Sequence, residues 1–193
     1  MGRGEVCGSR TAISLRGKIN TYISLLRGIN VSGQKKILMA NLRALYETLG
    51  FANVQTYVQS GNVIFTSEAA DQPGELAMRI QSGINARYGF EVPVFIYTPA
   101  DFARILAANP FPQADRARLM VTFLAGPLPL PETLSIPASG RDEYVFGEQE
   151  IYIHCPDGFG NSKLSNNLWE QKLKRTATTR NWNTVSALYR MAG

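Results

Sequence analysis

Histidine and cysteine are nearly absent from this 193-residue chain, which holds His154, Cys7 and Cys155 and no others of either type. These three residues make no metal-ligand spacing, so a Cys/His metal site is excluded and no cofactor is implied. One cysteine falls in an irregular leader and the other in a strand-like segment, which fits a reduced, cytoplasmic protein better than a disulfide scaffold. No apolar run has the length of a membrane span, and the N-terminus has no secretory hydrophobic region. Val6 stands where a myristoylation signal needs Ser or Thr. The P-loop pattern GxxxxGK[ST] is missing, which excludes an ordinary nucleotide triphosphatase. A Cys–His pair from Cys155 and His154 fails on geometry, because adjacent residues of a regular strand point to opposite faces.

Acidic residues are scarce at both ends of the chain. Arg3, Arg10, Arg16 and Lys18 precede position 20 against Glu5 alone, and Arg27, Lys35, Lys36 and Arg43 follow with no acid among them. Lys163, Lys172, Lys174, Arg175, Arg180 and Arg190 oppose only Glu170 after position 160. Residues 44–159 carry six basic and thirteen acidic side chains, so the net charge of +5 hides a basic–acidic–basic order. If the ends meet in space they form one positive patch.

What is present reads as a series of short elements. Residues 1–20, rich in glycine and without periodicity, read as a disordered leader. Tyr22–Leu26 is a strand by its β-formers, and Ile37–Leu49 is a helix because Leu38, Leu42, Leu45 and Leu49 form one stripe. Val54–Gln59 and Asn62–Ser67 flank a tight Ser60-Gly61 turn, a hairpin signature. Leu76, Ile80, Ile84 and Tyr88 mark a second helix, and Pro93–Tyr97 is a fourth strand. The order β-α-β-β-α-β is the ferredoxin-like split βαβ unit, over residues 21–98. Thr98-Pro99-Ala100-Asp101 then opens a helix that ends at Asn109-Pro110.

Residues 99–193 echo the first unit. Leu119–Ala125 is a strand, Glu143–Phe146 and Ile151–Cys155 form a hairpin, and Ser162–Lys174 is a helix. Two departures make this second α+β unit irregular. Gly126–Arg141 holds four prolines where the first unit has a helix, and Asn183–Met191 reads as a helix where a fourth strand is due. The expected architecture is α+β: a ferredoxin-like unit followed by an irregular repeat of it, packed on the first.

Four polar segments stand out: Arg27-Gly28-Ile29-Asn30 with Lys35, Ser60-Gly61-Asn62, Gly160–Lys163, and Thr178–Thr184. At LLRGINVSG, TYVQSGNVIF and TTRNWNTV the chain resembles a bacterial family, domain of unknown function 1697, from about residue 21 to the C-terminus. The resemblance implies a ferredoxin-derived α+β architecture and carries over no catalytic residue.

Three of these segments precede helices, whose N-termini favour anions. Arg and Lys add charge there, while Ser, Thr and Asn add neutral hydrogen bonds. Arg27, Gly28, Asn30, Lys35, Ser60, Asn62, Lys163, Thr179, Arg180, Asn181 and Asn183 are therefore the candidate binding residues for an anionic small molecule or nucleotide. Arg27 and Arg180 are expected in one concave region with Asn30 and Asn181 nearby. The competing reading is structural: Thr178–Thr184 caps the last helix, Trp182 locks it to the core, and Arg180 pairs with an acid. A second functional reading is RNA binding through the basic ends. It places Ile23, Val54 and Ile153 against the helices and leaves Tyr22, Tyr57, Tyr152 and His154 on the other sheet faces. The third strand, SGNVIFTS, departs from the RNA-recognition pattern, which disfavours it. An enzyme would need a nucleophile or base with a partner, and none is evident. Glu148 and Glu150, beside the Gly147 turn, read as exposed acids.

Overall fold

The computed structural model describes residues 19–31, 33–68, 71–128, 136 and 140–193. The expected leader therefore lies outside the described residues up to position 18, and positions 19 and 20 already belong to β1 (Ile19–Leu26). Most of the proline-rich Gly126–Arg141 also lies outside them.

The first half runs β1, α1 (Met39–Thr48), β2 (Ala52–Tyr57), β3 (Asn62–Glu68), α2 (Pro73–Tyr88) and β4 (Val94–Tyr97). Its sheet is antiparallel in the order β2-β3-β1-β4. α3 (Pro99–Ala107) follows, opened by the reciprocal capping box of Thr98 and Asp101 that its sequence announces. The second half runs β5 (Leu119–Leu124), β6 (Glu143–Phe146), β7 (Glu150–His154), α4 (Asn166–Leu173), β8 (Ala177–Asn181) and α5 (Trp182–Ala192). Its sheet is also antiparallel, in the order β6-β7-β5-β8.

β8 corrects the sequence reading. A fourth strand does occupy the expected place, formed by the Thr178–Asn181 motif itself, and α5 comes after it. Its β-branched threonines favour the strand, but ATTRN has no apolar run to announce it.

Three cores stack along the molecule. Tyr22, Leu26 and Phe65 of the first sheet pack against Leu42 and Tyr46 of α1 and Leu76 and Ile80 of α2. The opposite sheet face sends Ile23, Leu25 and Ile64 into a central core with Phe102 of α3, Trp182 and Val185 of α5, and Val121 and Phe123 of the second sheet. The outer face of the second sheet, with Ile151 and Ile153, packs on Trp169 and Leu173 of α4. β1 is thus covered on both faces, which is why YISLL reads as a continuous run rather than an alternation. Ser24, its polar member, is buried and bonded to Tyr46 Oη at 2.8 Å. Among the described residues no helix is long and apolar enough to cross a membrane.

The face assignment of the tyrosines also changes. Ile23 points into the central core, not at α1 and α2, while Tyr22 takes the helix-covered face. Tyr22 and Tyr152 are each only 3% exposed, so neither ring is free to stack on a base.

Candidate functional site

The two sheets meet in a seam built by Arg180. Along β8, Ala177 and Thr179 turn toward α4, so the alternation turns Thr178 and Arg180 toward the first sheet. The Arg180 guanidinium has five N–H donors and uses all five. Nε donates to Asn62 Oδ1 at 2.5 Å. Nη1 donates to Thr178 Oγ1 at 2.8 Å and to the Thr179 carbonyl at 2.9 Å. Nη2 donates to the carbonyls of Leu26 at 2.7 Å and Ser60 at 3.0 Å. The three segments that carry the family resemblance therefore converge on one side chain. No carboxylate is among its partners. Burial alone lowers its affinity for the proton, to a pKa of about 10 from 12.5.

This placement settles what several candidate residues touch. Asn62 donates to the Tyr57 carbonyl and to Ser60 Oγ, closing the hairpin while it receives Arg180. Asn30, itself at φ 55°, ties its loop with bonds to both backbone groups of Ile37 and to the Gln59 carbonyl. Thr179 Oγ1 bonds Thr122 Oγ1 and Asn166 Oδ1. Asn181 caps α5 by accepting from the Thr184 amide at 2.7 Å. Trp182 is buried in the central core, while Gly28, Lys163 and Asn183 are exposed.

Arg27, one residue past β1, lies on the open side of the seam. Its Nε donates to the Ala177 carbonyl at 3.0 Å and its Nη2 to Glu170 at 2.5 Å. The other Glu170 oxygen accepts from the Ala177 amide at 2.9 Å. Nη1 has no partner among the described residues, and Arg27 lines a groove of two adjacent hollows that share Arg27, Pro93 and Thr176. One part, about 420 Å³, adds Glu170, Lys174 and Arg175. The other, about 580 Å³, adds Lys35, Glu91 and the polar side of α2. Arg27 and Arg180 are neighbours at the seam, yet only Arg27 opens to solvent. Asn30 and Asn181 do not line the groove. Lys174 and Arg175 were not singled out by sequence, although they close a helix in a basic stretch.

Glu150 is the other departure. It is 1% exposed, where an exposed acid is expected beside a turn. Arg104 of α3 reaches it with two bonds, at 2.7 and 3.1 Å, and Tyr152 Oη lies at 3.3 Å. Burial, then the Glu150 charge, keeps the Tyr97 and Tyr152 phenols protonated well above their ordinary range. With its lone pairs taken, this carboxylate ties α3 to β7 and has no free role in proton transfer. His154 Nδ1 meets Glu143 at 2.9 Å across the hairpin. Cys155 is buried, and burial pushes its thiol up to about 11, so it stays an unreactive thiol at neutral pH. Among the described residues no group of His, Cys, Asp and Glu is placed to hold a metal.

Fold and seam together define a mixed α+β protein whose two four-stranded antiparallel sheets are pinned by buried arginine. The chain belongs to the family described as "Protein of unknown function (DUF1697)", whose model matches residues 19–152. That match ends before the β8 motif. It is also similar to the solved structure of the conserved bacterial protein SP0830 from Streptococcus pneumoniae. The two chains are 25% identical with a TM-score of 0.68, and the likeness covers 91% of this chain and 100% of that one. No match was found among curated proteins.

Proposed function

We propose that this protein binds an anionic small molecule in the groove beside the seam. The observation that supports this is the convergence of Arg27 and Lys35 from the first half with Lys174 and Arg175 from the second around two adjacent open hollows of about 420 and 580 Å³. Such volumes suit a metabolite-sized ligand. In this reading each sheet with its helices is a ferredoxin-like unit, residues 21–98 and 99–193, supported by the matching strand orders. The ligand then sits where the units abut, a common place for a binding site. Arg180 serves the scaffold, and Arg27 Nη1 serves the ligand.

The test is thermal melting at fixed salt against phosphate, pyrophosphate and a tricarboxylate. An anion at a hundred times its Kd stabilises by about 2.7 kcal/mol, several degrees for a chain of this size. The double change Lys174→Ala, Arg175→Ala should abolish the shift, because both side chains are exposed and their loss leaves the fold intact. No shift with any anion, or a shift that survives the double change, rejects the groove.

A further inference from the structure

The two halves of the groove differ in charge, and the difference points to a ligand with two chemically distinct ends. This step rests on the anion-binding reading above. The smaller part holds the cations Arg27, Lys174 and Arg175 against one carboxylate, Glu170, a formal charge of about +2 by ordinary ionisation. A phosphate monoester carries about −1.5 to −2 at neutral pH, so one such group matches that end. In the larger part, beyond the shared Arg27, Lys35 and Glu91 cancel. Lys35 Nζ donates one of its three hydrogens to the Glu91 carbonyl at 2.6 Å. A second phosphate at that end would meet no net positive charge.

The neutral end is instead furnished for hydroxyl groups. Gln81, Ser82 and Asn85 of α2 line it, and Asn85, four residues on from Gln81 and three from Ser82, neighbours each of them on the helix surface. Their side chains make no hydrogen bond within the described residues, and the Glu91 carboxylate makes none either. Two amides, a hydroxyl and a carboxylate supply both donors and acceptors, the set that recognises adjacent hydroxyls. No aromatic ring lines either part, so a nucleobase has no aromatic platform to stack on.

We infer that the groove takes a sugar or polyol monophosphate. Its phosphate lies against Arg27, Lys174 and Arg175, and its hydroxyls lie against Gln81, Ser82, Asn85 and Glu91.

The experiment is calorimetric titration of the full chain at fixed salt with inorganic phosphate, several pentose and hexose monophosphates, the corresponding free sugars, and a nucleoside monophosphate. At least one sugar monophosphate should bind about tenfold or more tighter than inorganic phosphate, the worth of one or two extra hydrogen bonds. The double change Gln81→Ala, Asn85→Ala should remove that advantage and leave the affinity for phosphate unchanged. Lys174→Ala with Arg175→Ala should weaken both ligands. Equal binding of phosphate and every sugar monophosphate overturns the sugar inference and leaves the anion site standing. Tighter binding of the nucleoside monophosphate overturns it too, as does an α2 double change that weakens phosphate and sugar monophosphate alike. Absence of binding by all of them rejects both readings together.

Discussion

Replacing Arg180 tests the seam directly. Arg180→Ala leaves five acceptors behind, of which the carbonyls of Leu26, Ser60 and Thr179 belong to the backbone and cannot turn away. A buried polar group left unpaired costs about 1–3 kcal/mol. The Asn62 and Thr178 side chains can rotate toward other partners. Removing a buried charge that has no counter-ion also returns part of its desolvation cost, so the lower end of the range applies to each carbonyl. The expected loss is then about 3 kcal/mol, a fall in melting temperature of roughly 6–12 °C for a chain in this size class. Urea unfolding measures it as a lower midpoint at unchanged slope. Two companions separate the causes. Arg180→Met fills the space without donors and should recover little. Arg180→Lys keeps the charge but offers three donors in place of five, and should fall between wild type and Ala. A cost below about 1 kcal/mol for Ala, or full recovery by Met, would refute the claim that these hydrogen bonds hold the halves together.

Two further outcomes follow from the same packing. Gly61 has φ +75°, and a Cβ there would lie 2.7 Å from Leu26 Cβ and 2.8 Å from Ile29 Cδ1. Gly28 has φ +71° but open space around it. Gly61→Ala should therefore cost about 2–4 kcal/mol and Gly28→Ala about 1–2, read from chemical melts; equal costs would mean the close approach is unimportant. Burial raises the Cys155 thiol from 9.0 to about 11. Between those values the unfolded chain gives up a proton that the folded chain keeps, so stability falls as pH rises from 9 toward 11. Cys155→Ala should flatten that slope, and an unchanged slope would place the alkaline loss elsewhere. The same burial predicts no reaction of Cys155 with a thiol reagent until the protein unfolds.

The local elements were legible because their signals are local. Leu42 and Leu45 of the expected stripe are buried on α1 and Leu49 is partly so, whereas Leu38 sits at the N-cap and is exposed; Thr98 with Asp101 caps α3 as written in the sequence. The Ser60-Gly61 turn and the succession β-α-β-β-α-β along the first half follow from the same short-range chemistry. β8 was hidden because its inward face carries Thr178 and Arg180: Arg180 is buried because partners 118 to 154 residues away satisfy it, and it in turn bonds Thr178. The same cause hid Glu150, whose burial depends on Arg104 arriving from α3. Basic residues at both ends of the chain were visible in the sequence. Which of them would be sealed in the seam and which would face a groove depended on strand alternation and on the docking of two sheets. By itself the sequence determined the elements other than β8, their order along the chain and the charge at the chain ends. The tertiary structure alone decided that Arg180 is a fully bonded core group and that Arg27 is left with a free edge, because hydrogen-bond satisfaction is a property of the assembled fold rather than of any one segment.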